Sequence, residues 1–211
     1  MLPLPYPWRY AFIVAWCRFV RAWLRICCGI RYEIEGLENV PEQPCVILSR
    51  HESAWETITL PIHFRPQTWV LKKELLKLPF FGWTVATLKP IAIDRRARRN
   101  ALRQILEQGR ERLAEGIWLV VFPEGTRVPP SRPVSFQKGG AVLAHHAGVP
   151  VLPIALDSGD YWPRNSFIKR PGTIRVRIGP CIPTNGVEPQ AACEQAERWV
   201  AQMMRELRPG V

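Results

Sequence analysis

The chain has 211 residues, 29 Lys and Arg against 18 Asp and Glu, a formal net charge of +11, and 47% hydrophobic residues, among them nine Trp. That length supports one domain with a full hydrophobic core and calls for no second, and the apolar content excludes intrinsic disorder. The basic, Trp-rich balance suits nucleic acid, anionic lipid headgroups or small anionic substrates, since all three present dense phosphate charge, and charge alone does not choose among them.

From Tyr10 to Ile30 the chain is rich in Phe, Trp, Ile, Val and Leu, yet Arg18, Arg21 and Arg25 recur at helical i, i+3, i+7 spacing. The uncharged stretch before Arg18 is far short of the roughly 18 residues of a spanning helix. No small-residue cleavage site follows it, which disfavours a signal peptide. Trp8, Trp16 and Trp23 on an apolar face, with an arginine stripe opposite, predict a helix lying in the headgroup region. The alternative is an amphipathic helix packed on its own domain, its arginines merely solvated. Residues 1–30 are therefore read as a membrane-anchoring segment and residues 31–211 as the main domain.

Short apolar runs at 45–49, 68–71, 90–94, 117–122 and 151–156 read as buried strands, and 172–181 alternates as a further strand. Helical patterns lie between them. Ala101, Leu102, Ile105, Leu106 and Leu113 form one face of a crossover helix over 97–113, and Ala192, Ala196, Trp199, Val200, Met203 and Leu207 form another near the end. This alternation predicts an α/β fold with a mainly parallel or mixed sheet flanked by helices. The segment 128–133, with Pro129, Pro130 and Pro133, is a loop and not a domain boundary. The six cysteines, at 17, 27, 28, 45, 181 and 193, form no C-x-x-C pair and have no His at zinc-finger spacing, so they read as free thiols and no metal site is expected.

Three predicted strands run into polar clusters: Ser49-Arg50-His51-Glu52, Asp94-Arg95-Arg96, and Pro123-Glu124-Gly125-Thr126-Arg127. Ligands of parallel α/β sheets bind outside the carboxyl ends of the strands, so these clusters would share one edge. On a continuous helix His51 and Glu56 would stand about 140° apart and could not meet. With His51 in the preceding turn and Ser53 capping the helix, Glu56 falls in the first turn and can reach back to the imidazole. A carboxylate so placed orients a histidine to take a proton from an alcohol. Ser53-Ala54-Trp55-Glu56 is equally an S-x-x-E capping box, with Glu56 bonded to the Ser53 backbone, and the fragment alone leaves both readings open. A zinc H-E-x-x-H site fails because position 55 is Trp. Lys72, Arg95 and Arg127 offer charge-assisted hydrogen bonds to a phosphate ester, which points to a phosphorylated alcohol as substrate.

In these blocks the chain resembles the 1-acylglycerol-3-phosphate acyltransferase family, whose members share an H-x-x-x-x-D motif. Over roughly residues 30 to 185 the matching blocks run in the family's order. They are His51 to Glu56, Lys72-Lys73-Glu74-Leu75 with Pro79-Phe80-Phe81-Gly82, Ile93-Asp94-Arg95, Phe122 to Arg127, and Val149-Pro150-Val151-Leu152-Pro153-Ile154. The resemblance implies an α/β domain with an N-terminal membrane-associating part. It implies that His51, supported by Glu56, deprotonates the sn-2 hydroxyl of lysophosphatidic acid for attack on acyl-CoA or acyl-acyl carrier protein. Glu124, Gly125 and Arg127 would fall in the acceptor-binding block, and Lys72, Arg95 and Arg127 would hold the phosphate. No acyl-enzyme and no cofactor are implied. Glu56 stands where the family has Asp, in what looks like a His-to-Glu variant of the motif. Lys89 and Ala92 replace the usual Gly and Phe.

The expectation is an acyltransferase on the cytoplasmic side of the inner membrane, peripheral or monotopic, with membrane lipid, a lysophospholipid and an acyl thioester as partners and no nucleic acid. Two alternatives stand beside it: the same chemistry on another lysophospholipid or lyso-aminolipid, and a non-catalytic module that binds anionic membrane.

Overall fold

The computed structural model describes residues 4–79, 81–93 and 98–209. The chain opens with helix α1 (Tyr6–Cys28), whose first turn holds Pro7, where a missing N–H costs nothing. It stops at Gly29, which takes the left-handed φ of +65° and caps the helix through its N–H to the Leu24 carbonyl. Strand β1 (Ile30–Glu35) follows, then β2 (Val46–Ser49), α2 (Trp55–His63), β3 (Gln67–Lys72), α3 (Phe81–Ala86) and β4 (Ile91–Ile93). The second half comprises α4 (Arg98–Ala114), β5 (Trp118–Val121), α5 (Gly139–Ala147), β6 (Val151–Leu156), α6 (Ser158–Tyr161), β7 (Gly172–Ile178) and α7 (Pro189–Leu207).

Among the described residues the seven strands form one sheet in the order β1-β7-β6-β2-β5-β3-β4. The five from β6 to β4 are parallel. β7 runs antiparallel to β6, and β1 is parallel to β7. The mixed, mainly parallel sheet is thus the expected one, and the strands fall within one to three residues of their predicted limits. β1 was not expected; its alternation of Arg31, Glu33 and Glu35 with Tyr32 and Ile34 suits an edge strand with one solvated face.

The sheet separates two apolar layers, as the period of two along β2 requires. Ile47 joins Trp55, Trp69, Val120 and Ile154 beneath α1 and α2, while Val46 and Leu48 join Leu119, Leu143 and Ala196 beneath α4, α5 and α7. Fully burying such an aliphatic side chain stabilises by about 1.5–3 kcal/mol relative to leaving it exposed.

Helix α1 meets the domain through Tyr10, Ile13, Val14, Cys17 and Leu24, and the Tyr10 hydroxyl donates to the Phe64 carbonyl at 3.1 Å. Its remaining surface differs from the expected pattern. Trp8, Phe12, Trp16, Phe19, Trp23 and Ile26 are all more than half exposed, and at about 100° per residue they form one stripe opposite the buried face. Arg18, Arg21 and Arg25 therefore run along the flank between the two apolar faces, not opposite the tryptophans. No helix among the described residues is long and apolar enough to cross a membrane.

Candidate active site

Because β2, β3, β5 and β6 are parallel, their carboxyl ends deliver Arg50-His51-Glu52, Lys72, Phe122 to Arg127 and Asp157-Ser158-Gly159 to one edge of the sheet. The first and third of these clusters lock together through main-chain and carboxylate bonds. After β5 the chain turns tightly, with the Gly125 N–H donating to the Phe122 carbonyl at 2.9 Å. Gly125 sits at φ +72°, a conformation that side chains rarely tolerate. The turn brings Glu124 back towards β2, where its Oε2 accepts the His51 backbone N–H at 3.0 Å. The His51 carbonyl accepts from the Val128 N–H at 2.8 Å. The histidine backbone is thereby clamped on both sides by the Glu-Gly-Thr-Arg loop.

The His51 ring stacks on Phe122, with centroids 3.8 Å apart and planes 16° from parallel. Its Nδ1 is buried, has no hydrogen-bond partner, and faces Glu56 Oε2 at 3.7 Å. Glu56 is fully buried. Its Oε1 accepts the Glu52 N–H at 3.0 Å, the Ser53 N–H at 3.1 Å and the Ser158 hydroxyl at 2.6 Å. The two readings of the Ser53-to-Glu56 segment are therefore both realised in one carboxylate. Ser53 does not cap α2 alone: its Oγ accepts the Trp55 N–H at 3.0 Å, while Glu56 returns to the Ser53 backbone as a capping box does. Folding Glu56 onto that backbone does not take it from the imidazole, because the second oxygen still faces Nδ1.

Around this pair lies a buried charge network that sequence reasoning missed. Arg50, 1% exposed, donates to Glu52 at 3.0 Å, to Glu124 at 2.6 Å and to the Arg132 carbonyl at 2.7 Å. Glu52 is fully buried and also accepts the Gly159 N–H at 3.1 Å and a fork from Arg208 at 2.6 and 3.0 Å. A Cβ on Gly159 would stand 2.9 Å from the Glu52 Cβ, so glycine is required there for closeness rather than for its backbone angles. Arg208 reaches in from the end of α7 and also holds Asp160 at 2.8 Å. Glu52, Glu56 and Glu124 thus outnumber the two guanidiniums. Burial, opposed by Arg50 and reinforced by the neighbouring carboxylates, pushes the Glu124 carboxyl up to about 7.

Of the expected site residues, the structure brings His51, Glu56, Glu124 and Gly125 together. Glu124 spends its oxygens on Arg50 and the His51 backbone, which makes it a positioning group for the histidine, and Gly125 serves the turn. Lys72 lies exposed at the end of β3, two strands across the sheet from β2. Arg127 is half-buried and its carbonyl accepts from Arg164 at 2.8 Å. Arg95 lies outside the described residues. Beside Phe122 opens a cavity of about 600 Å3 lined by Val70, Ile93, Leu102, Ile105, Phe122 and Gly140. Phe122 is shared: it stacks on the His51 ring and walls this mainly apolar space. The arrangement can accept a proton at a held imidazole, stabilise the resulting cation, and lodge an apolar chain alongside.

The model of a family described as acyltransferase matches residues 31–157. A 1-acyl-sn-glycerol-3-phosphate acyltransferase of Pseudomonas aeruginosa is 52% identical over 210 residues, spanning 98% of this chain and 82% of that protein. The alpha enzyme of the same name from Ovis aries is 32% identical over 81% of this chain and 60% of its own length. Among solved structures, the crystal structure of the 1-acyl-sn-glycerophosphate (LPA) acyltransferase PlsC from Thermotoga maritima superposes with a TM-score of 0.78 at 25% identity. It covers 94% of this chain and 79% of that one.

Proposed function

The chain belongs to the acyltransferase family, and from that premise we propose that it transfers a fatty acyl group from an acyl thioester to the sn-2 hydroxyl of 1-acylglycerol-3-phosphate, giving phosphatidic acid and a free thiol. The observation that carries the chemistry is the buried Glu56 carboxylate facing His51 Nδ1 at 3.7 Å, with the histidine backbone clamped by Glu124 and Val128. With Nδ1 turned to Glu56, Nε2 is the nitrogen left for the acceptor. It takes the hydroxyl proton as the alcohol oxygen attacks the thioester carbonyl carbon. The C–S bond then breaks, and the proton on the imidazolium passes to the departing thiolate. Glu56 holds the ring's orientation and faces the positive charge that forms during transfer.

The donor is read as acyl-CoA or acyl-acyl carrier protein, its chain seated in the apolar cavity beside Phe122. Lys72, Arg95 and Arg127 are read as the phosphate contacts, since guanidinium and ammonium groups bind phosphate by charge-assisted hydrogen bonds. The exposed aromatic stripe of α1 is read as the part immersed in the cytoplasmic face of the inner membrane, a peripheral mode that suits a helix apolar on its outer face and edged by arginines.

The test is an acceptor-by-donor panel on purified protein. Thioester should be consumed only when a lysolipid is supplied, fastest with 1-acylglycerol-3-phosphate. Loss of thioester to water alone would mark a hydrolase. His51→Ala should lower turnover by about 10²–10⁴-fold, the usual worth of a positioned general base, and an active His51→Ala protein would sink the mechanism.

A further inference from the structure

Where α1 ends and β1 begins, a groove of about 680 Å3 is lined by Arg21, Arg25, Ile26, Arg31, Tyr32 and Glu33. We infer that this groove is a binding site for the phosphate headgroup of an anionic glycerophospholipid in the bilayer, separate from the acyl-transfer centre. The inference rests on the reading that the outer face of α1 lies in the headgroup layer.

Charge supports it first. Three guanidiniums and one carboxylate line the groove, leaving a local surplus of two positive charges. Among the described residues neither Arg25 nor Arg31 has an ion-pair partner, and both are exposed. Arg21 is committed only to Tyr32, whose hydroxyl it meets and over whose ring its guanidinium lies, 4.9 Å from the centroid. The positive potential registers on a neighbour: burial, together with Arg21 and Arg65, pushes the His63 imidazole down to about 4. Unpaired guanidiniums with fork geometry are well suited to phosphate oxygens.

Position supports it second. Ile26, 75% exposed and part of the aromatic stripe, lines the groove next to Arg25, so a phosphate held in the groove leaves apolar surface for the attached acyl chains. β1 and β7 run opposite to the five parallel strands, and Ile30 pairs with Gly172 at the start of both. The groove therefore opens on the same sheet edge as His51, the edge that has to meet lipid.

The experiment is co-sedimentation with vesicles of phosphatidylcholine alone and with about a fifth of it replaced by phosphatidylglycerol, using the full chain at physiological salt. Wild type should bind both, and the anionic vesicles more tightly. Arg25→Gln with Arg31→Gln should cancel about ten- to thirtyfold of that preference while leaving binding to neutral vesicles, and turnover of detergent-dispersed acceptor, unchanged. Arg9→Gln with Arg18→Gln removes the same charge from α1 outside the groove, and should lose threefold at most. Equal losses in the two pairs would mean diffuse attraction and overturn the site. Relief of anionic-vesicle binding by millimolar inorganic phosphate, at constant ionic strength, would show a soluble phosphate site and overturn the lipid assignment. Failure of wild type to bind neutral vesicles would instead strike the reading of α1 itself.

Discussion

At the ends of β2, β5 and β6 the molecule buries charge, and along the outer face of α1 it exposes aromatic surface. Both invert the ordinary distribution, in which Glu and Arg stay wet and large apolar groups are covered. The first inversion is satisfied internally. Glu52, Glu56 and Glu124 have donors at 2.6 to 3.2 Å, four from Arg50 and Arg208 and the others from backbone N–H groups and Ser158. The second has no internal answer, since nothing among the described residues covers Trp8, Phe12, Trp16, Phe19 or Trp23. A buried network that closes on itself fixes a geometry, whereas an open apolar stripe requires something from outside.

If the charged region is a closed network, its outermost clamp should be the most damaging to remove. Arg208→Ala leaves the Glu52 carboxylate buried with a single guanidinium, and breaking such a pair costs about 3–5 kcal/mol. Urea unfolding should show that loss, with Arg208→Lys recovering part because it restores a cation but not the fork. A change under about 1 kcal/mol would show that the network closes without α7, since that is the scale of an exposed pair.

The apolar region should respond oppositely, losing lipid affinity without losing fold. Trp16→Ser with Trp23→Ser removes two rings that touch nothing in the domain core, and should weaken binding to neutral vesicles by roughly 150-fold or more, given about 1.5–3 kcal/mol for each buried aromatic. Its urea midpoint should stay at the wild-type value. A double variant that unfolds early would mean that the stripe packs on protein and not on lipid.

How much of this contrast is legible in the sequence depends on the range of the interactions. The strand-end rule finds His51, Glu124 and Gly125 because each follows a continuous apolar run. The same rule applied to β6 would have flagged Asp157-Ser158-Gly159, which supplies donors to both Glu52 and Glu56. Arg208 carries no local signal, being 156 residues from the carboxylate it holds. β1 is obscured because its alternation begins directly after a helix and half its residues are charged. Lys89, where the resembled family has Gly, adopts φ +54°. That explains why glycine suits the position, and Lys89 is held there by Glu115 at 2.5 Å. On α1 the period of 3.6 reveals amphipathicity, but two apolar faces separated by arginines read as one until the domain occupies the inner one.

Glu124 offers a pH-dependent test of the same closure. Its folded value of about 7 lies above the ordinary 4.5, so between those values the native state holds more protons than the unfolded chain. Stability should accordingly be greatest below that window, fall as pH rises through it, and level off above about 7. Glu124→Gln removes the titration. Urea midpoints at about pH 5 and about pH 8 should differ by less in Glu124→Gln than in wild type, by a few kcal/mol at most for a shift of this size. Parallel pH profiles for the two proteins would show that the burial of Glu124 does not govern this range.

The smallest effect should come from Ser158, and it is the most discriminating. Its hydroxyl donates at 2.6 Å to Glu56 Oε1, the oxygen turned away from His51. Two backbone N–H groups still hold that oxygen in Ser158→Ala, so the carboxylate stays in place but gains freedom to rotate. A charge-assisted hydrogen bond contributes about 1.5–3 kcal/mol to stability, while only the part that aligns Oε2 with Nδ1 reaches turnover. We expect kcat to fall about threefold to tenfold with KM unchanged, because the hydroxyl acts through Glu56 on the ring and touches no substrate. A rise in KM at constant kcat would place Ser158 against the acceptor instead. Full activity would mean that the backbone alone aligns Glu56, and the network would then be closed one bond earlier than its geometry indicates.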